Sequence, residues 1–214
     1  MGNKITEMVF ILDKSGSMAG YEEDTVGGFN SMIERQRGIE GKAYVSTVLF
    51  SNKSVIIHDR VDINSVTPLG VDEYRVGGGT ALLDAIGSSI EHIGNVHKYA
   101  RQEDVPEHTV FVITTDGMEN ASYMYDAKFV KEQIKQRSER DGWEFIFLAA
   151  NIDAVETAGN IGIRRERAMK FTQSHEGVRR NYEAVGKVMC CMRSDPDKFE
   201  NIDINDITEE DENE

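Results

Sequence analysis

The fold of this chain is decided by residues 8–17, which read MVFILDKSGS. The unbroken apolar run at 8–12 predicts a strand that is buried on both faces, as in a parallel sheet. Directly after it the chain offers one carboxylate, Asp13, and two hydroxyls, Ser15 and Ser17. If the segment stays extended, alternation places these three oxygen-bearing side chains on one side. Such oxygens suit a hard divalent cation, Mg²⁺ first, with Mn²⁺ or Ca²⁺ as alternatives.

Two later stretches bring further oxygens to the same expected edge. Three glycines at 77–79 precede Thr80 and a run typical of a helix start. A second buried strand over residues 110–115 ends in Asp116 and a glycine. Because the carboxyl ends of parallel strands meet at one edge of a sheet, we expect these loops to lie beside the first.

The order and context of these three pieces resemble the von Willebrand factor A (vWA) family over roughly residues 4–193. That family carries a metal-ion-dependent adhesion site (MIDAS), which consists of Asp-x-Ser-x-Ser, a distant Thr and a distant Asp. The matching residues here are Asp13, Ser15, Ser17, Thr80 and Asp116. The resemblance implies that the two serines, and at times the threonine, bind the metal directly, while both aspartates act partly through water. It also implies a protein partner whose Asp or Glu side chain completes the coordination.

The alternation of strands and helices predicts a doubly wound α/β fold. We expect a six-stranded, mostly parallel, Rossmann-like sheet with helices on both faces, and the resemblance makes its third strand the antiparallel edge. The predicted strands cover about residues 4–12, 43–50, 55–58, 110–115, 145–150 and 168–171. The last helix carries a clear apolar stripe between Val178 and Met192. Gly27 and Gly28 interrupt the first helical pattern, and we expect them to permit close packing of this helix against the sheet.

The charge is uneven along the chain. The formal net charge is −14, of which residues 195–214 contribute −9. We therefore expect one vWA domain over residues 1–194 and an acidic, solvated and disordered tail over residues 195–214. An acidic surface argues against binding to nucleic acid or anionic membranes.

The cellular setting follows from what the sequence lacks. No apolar run reaches the length of a membrane span, and the N-terminus carries no signal-peptide core. The two cysteines, Cys190 and Cys191, are adjacent and show no metal-ligand spacing. We expect a cytoplasmic monomer. The resemblance suggests a stand-alone protein of the bacterial type, in a stress-response system such as tellurite resistance or beside an ATPase.

Three functions stay open at this point. The first is a metal-dependent protein-binding module that is not an enzyme. The second is a magnesium-dependent hydrolase or phosphotransferase, which needs a general base, and only Asp13, Asp116 and Glu119 are at hand. The third is a scaffold that does not use the metal. Glu119, Asn120 and Asp84 are either supports of the site or ordinary loop and helix-start polar residues.

Overall fold

The computed structural model describes residues 5–150, 153–196, 199 and 201–209. Its strands are β1 (Ile5–Asp13), β2 (Lys42–Phe50), β3 (Ser54–Asp62), β4 (His108–Thr115), β5 (Glu144–Ala149) and β6 (Ala168–Lys170). Its helices are α1 (Glu22–Arg37), α2 (Leu82–Tyr99), α3 (Ala127–Asp141), α4 (Ala154–Asn160), α5 (His175–Ser194) and α6 (Ile204–Glu209).

The sheet has six strands in the order β3-β2-β1-β4-β5-β6. Only the pair β2–β3 is antiparallel among these strands, and the other four pairs are parallel. The predicted doubly wound sheet with one antiparallel edge strand is thereby confirmed. The edge strand is longer than expected, since it runs from Ser54 to Asp62.

Two cores cover the two faces of the sheet. Alternate residues of β1 face opposite ways, as strand geometry requires. Phe10 packs in the core beneath α1 and α5, whereas Ile11 packs in the core beneath α2 and α3. The central strands β1 and β4 are therefore covered on both faces, and their carboxyl ends open between the two helical layers.

A glycine fixes how closely α1 approaches α5. A Cβ atom on Gly28 would lie 2.7 Å from the ring of Tyr182, a buried residue of α5. The interruption in the first helical pattern therefore permits packing of a helix against a helix, where the sequence led us to consider packing against the sheet.

The expectation of a solvated segment from residue 195 onward is wrong for most of its described part. Phe199 and Ile204 are 3% and 0% exposed and belong to the core beneath α1 and α5. The guanidinium of Arg167, itself 2% exposed, donates to the main-chain oxygens of Phe199 and Ile202 at 2.9 and 2.5 Å. Isolated apolar residues among the acids thus dock on the domain and satisfy a buried cation. Residues 197, 198, 200 and 210–214 of the predicted tail lie outside the described residues.

None of the helices in the described ranges is long and apolar enough to cross a membrane.

Candidate metal centre

The loop after β1 brings its polar groups together by turning. The Asp13 carboxylate accepts the backbone N–H of Ser15 at 2.7 Å, and a 3₁₀ turn then follows over Gly16–Met18. The Oγ atoms of Ser15 and Ser17 lie 3.1 Å apart. The side chains therefore converge as expected, but through a turn that Asp13 itself organises and not through strand alternation.

The end of β4 joins this loop directly. The Ser17 hydroxyl donates to Oδ1 of Asp116 at 2.6 Å, and the Thr115 hydroxyl donates to Oδ2 of Asp13 at 2.6 Å. Asp13, Ser15 and Asp116 are all at most 2% exposed. Two residues 99 positions apart are thus linked by one hydrogen bond at the carboxyl ends of neighbouring parallel strands.

Thr80 lies in the third loop, which directly precedes α2. Its backbone N–H donates to the side-chain oxygen of Asn120 at 2.8 Å, and the Asn120 N–H donates to its carbonyl oxygen at 3.1 Å. A Cβ atom on Gly117 would lie 3.2 Å from Thr80 Oγ1 and 3.5 Å from Ser17 Oγ. The two hydroxyls therefore flank the same residue, and its lack of a side chain leaves room between them. All five predicted residues come from loops that meet at one place.

Burial disfavours the charged forms of the Asp13 and Asp116 carboxylates. Burial raises the pKa of the Asp13 carboxyl above its usual value, although hydrogen bonds from Thr115 and Ser15 oppose the shift. Burial also raises the pKa of Asp116, and the nearby negative charge of Asp13 adds to that effect. The groups that lower the pKa of Asp116 are hydrogen-bond donors and not cationic side chains. Two buried acids beside neutral hydroxyls form a donor set that fits a hard divalent cation.

Within the residues that the structure describes, no group of three or more His, Cys, Asp or Glu side chains forms a metal-binding arrangement.

The acid Glu119 supports the site by shaping its loop. Its carboxylate accepts the backbone N–H groups of Leu83, Ala121 and Ser122 at 2.8–2.9 Å and the Ser122 hydroxyl at 2.7 Å. These bonds tie the β4–α3 loop to the start of α2. Glu119 was one of the three candidate general bases. Its carboxylate already accepts four hydrogen bonds, which disfavours a role in proton abstraction.

Asp84 also does more than complement the dipole of α2. It is 7% exposed, and its carboxylate accepts the N–H groups of Tyr123, Met124 and Tyr125 at 2.9–3.1 Å. Asp84 and Asn120 are thus structural supports, one for the β4–α3 loop and one for Thr80.

Gln173 contacts the centre and was missed by the sequence reasoning. Its Nε2 donates to Oδ2 of Asp116 at 2.6 Å and to the main-chain oxygen of Ser17 at 3.0 Å. Gln173 lies between β6 and α5, and its main-chain oxygen accepts a hydrogen bond from the Tyr21 hydroxyl at 3.2 Å. No sequence signal marks it, since a single glutamine 57 positions after Asp116 belongs to no motif.

A second missed contact comes from Tyr74. Its hydroxyl donates to the main-chain oxygen of Asp13, and the side chain is fully buried. Burial raises the pKa of this phenol well above its usual value, so it remains a donor at neutral pH.

Comparisons with known proteins identify the type of fold that carries this site. No family model matches the chain, and no curated protein matches it. Among solved structures, proximal thread matrix protein 1 from the mussel byssus, with a zinc-occupied MIDAS motif, matches with a TM-score of 0.57 at 16% identity. A von Willebrand factor type A protein from Catenulispora acidiphila matches with a TM-score of 0.57 at 10% identity. The chain has a vWA-type fold.

A third vWA-type match is the pilus adhesin SpaC from Lactobacillus rhamnosus GG, at a TM-score of 0.65 and 12% identity. These three matches cover 86–87% of the present chain. The chain in turn spans less than half of each solved protein, namely 46%, 42% and 30%. At these identities the likeness establishes the fold, and the five site residues rest on their own geometry.

Proposed function

We propose that this vWA-type chain is a metal-dependent protein-binding module and not an enzyme. The observation that carries the proposal is the meeting of three hydroxyls and two buried carboxylates from three separate loops. Such a set would hold a divalent cation at the carboxyl edge of the sheet, where ligands of open α/β sheets bind. The zinc-occupied MIDAS motif of proximal thread matrix protein 1 supports this assignment, since its fold is similar.

Each residue has a role in this proposal. Ser15, Ser17 and Thr80 would hold Mg²⁺ directly, with Asp13 and Asp116 acting partly through water. Since Ser17 donates its proton to Asp116, the lone pairs of its Oγ remain available to a cation. Asp13 keeps the loop turned by accepting the Ser15 N–H. The bound cation would supply a positive charge and an exchangeable coordination position, which suits a carboxylate from outside the chain.

The partner would therefore present an Asp or Glu. SpaC, one of the structural neighbours, is an adhesin, which supports a role in protein binding. We further propose a cytoplasmic location. Cys190 and Cys191 are neighbours on α5 and point in different directions, so they are poorly placed for a disulfide with each other, as suits a reducing compartment.

The test is a calorimetric titration with MgCl₂ of the wild-type protein and of Asp116→Ala. We expect the wild type to bind and the variant to lose affinity by about 100-fold or more, because a ligating or water-bridging carboxylate is removed. Circular dichroism should show an unchanged fold, since loss of this loop carboxylate removes little packing. Asp59→Ala, which removes a half-exposed surface acid, is the matched control and should bind as the wild type does.

Two results would contradict the proposal. A wild-type protein that binds none of Mg²⁺, Mn²⁺ and Ca²⁺ would refute it outright. Equal affinity in Asp116→Ala would remove this carboxylate from the site.

A further inference from the structure

The β4–α3 loop presents an apolar surface next to the metal centre. Met118, Tyr123 and Met124 are 73%, 76% and 59% exposed, and we name them the apolar patch. Large apolar side chains of this kind are enriched at protein interfaces, where Tyr and Met provide contact area. Three such residues within seven positions of one loop mark it as a contact surface.

The loop that carries the apolar patch is held by many hydrogen bonds. Asp84 accepts three of its backbone N–H groups, Glu119 accepts two more, and Asn120 is bonded to both main-chain polar groups of Thr80. The exposed side chains therefore project from backbone that is already ordered. A preordered surface loses less conformational entropy on binding, so such a patch contributes more to affinity than a mobile loop would.

The apolar patch lies on one side of the metal centre. Met118 is two residues after Asp116, and the N–H groups of Tyr123 and Met124 bond to Asp84, one helical turn after Thr80. Because α2 and α3 cover the same face of the sheet, this loop flanks the centre on that face.

The opposite side of the centre is acidic. On the face covered by α1 and α5, a cavity of about 730 Å³ adjoins the metal loop through Tyr74, whose hydroxyl bonds to Asp13. Arg75 and His175 also line this cavity, and each is paired with one of its acids. We name as the acidic rim the four acids that line it, Glu22, Glu23, Asp24 and Asp72. Arg179 also lies 3.8 Å from Asp24, but the four acids still outnumber these three basic residues, so the rim is complementary to a basic residue.

We propose that the partner is a protein segment in which the metal-binding Asp or Glu is flanked by an apolar residue on one side and a basic residue on the other. On one side a bulky apolar residue packs on the apolar patch, and on the other a Lys or Arg faces the acidic rim. This inference rests on the proposed function, because the acid is the residue that completes the metal site. The inference goes further, because it specifies the residues that flank this acid in the partner.

The experiment selects peptides from a random dodecamer display library on the wild-type protein in MgCl₂, with elution by EDTA. We expect the eluted peptides to share an Asp or Glu with an aromatic or aliphatic residue on one side and a basic residue on the other. A selected peptide, made synthetically, should bind Tyr123→Ser or Met118→Ser at least about tenfold more weakly, as expected for a central interface residue.

The chain offers a matched control for the patch. Tyr99 is 78% exposed, like Tyr123, but lies at the other end of α2, about 27 Å away along an 18-residue helix. Tyr99→Ser should leave peptide affinity unchanged. Magnesium titration of Tyr123→Ser should match the wild type, which shows that the loss arises at the patch and not at the metal.

The outcomes separate this inference from the function on which it rests. If EDTA-eluted peptides carry an acid but bind Tyr123→Ser and Met118→Ser as tightly as the wild type, the metal function holds and the inference is overturned. Acids flanked by basic residues on both sides would overturn it as well. If no peptide elutes with EDTA, or if Asp116→Ala retains the peptides, the proposed function fails and the inference fails with it.

Discussion

Replacing Phe199 by Ala should destabilise the whole domain, although this residue lies in the stretch that looks like a disordered tail. The ring is 3% exposed, and the Arg167 guanidinium lies 4.3 Å from its centroid. Truncation of a buried Phe costs about 3–5 kcal/mol, to which loss of a buried cation–π contact adds about 0.5–2 kcal/mol. We therefore expect the free energy of unfolding to fall by about 4 kcal/mol. For a chain of this size, that corresponds to a drop in melting temperature of about 8–16 °C.

Thermal and urea denaturation of the purified protein would measure this effect. Phe199→Leu is the control. It keeps most of the apolar volume but loses the cation–π contact, so it should cost about 2 kcal/mol, roughly half of the loss in Phe199→Ala. Magnesium affinity should be the same in all three proteins. Phe199 packs beside Arg167, which precedes β6, and so lies at the end of the sheet opposite to the metal centre.

Loss of the whole segment should destabilise the domain as well. Truncation after Ser194 removes the Phe199 ring and the carbonyls of Phe199 and Ile202, so Arg167 loses two acceptors and the side chain that covers it. A melting temperature for Phe199→Ala within about 1 °C of the wild type would refute this account. In that case the segment would contribute nothing to the core in solution.

Two further predictions concern single side chains. Gln173→Ala should weaken magnesium binding by about tenfold in calorimetry, because its amide fixes the orientation of Asp116, and an unchanged affinity would show that the contact is incidental. Thr172→Ala, next to it and exposed, is the control and should bind normally. His58 is 4% exposed and bonds to the hydroxyls of Thr47 and Thr67, and burial lowers its pKa below 6.5. Since the unfolded chain binds the proton more readily, stability should fall as pH drops through about 6.5, by up to about 1.4 kcal/mol per pH unit. Urea unfolding of His58→Gln at pH 7 and pH 5 should show a smaller loss than the wild type, and an identical loss would assign the effect to other groups.

The sheet could be predicted from the sequence because its signals are local. Apolar runs such as residues 8–12 mark strands that are buried on both faces, and the polar residues that follow mark where those strands end. Once the strands are parallel, their carboxyl ends share an edge, so the meeting of Ser17 with Asp116 follows from topology. The five candidate ligands came from the resemblance to the vWA family, whose metal site has particular residue types in a fixed order, and the fold brings their loops together.

The path of the metal loop was predicted less well. Strand alternation suggested one side for Asp13, Ser15 and Ser17, whereas the chain turns at Ser15 and enters a 3₁₀ turn. The carboxylate of Asp13 competes with extended structure by accepting a backbone N–H two residues on, a known tendency of aspartate.

The residues that support the ligands could not be predicted because their roles depend on where distant segments pass. Gln173 reaches Asp116 only because the connection from the edge strand β6 returns across the sheet to α5. Glu119 looked like a candidate base, yet its position places four donors around it. In each case the residue type is generic, and the tertiary path decides its function.

The acidic charge of the C-terminal segment predicted a solvated chain for a related reason. Composition averages over residues, whereas docking depends on a few of them. Ten acids in 20 positions indicate a solvated chain, but acids on the outer side of a segment do not oppose burial of Phe199 and Ile204 on its inner side. The decisive partner is Arg167, a cation that precedes β6 and is 2% exposed. Its guanidinium pairs with Glu144 of β5 and donates to main-chain oxygens of the segment, so the segment completes the set of acceptors around a buried cation. The sequence shows both, but only the fold brings them into contact.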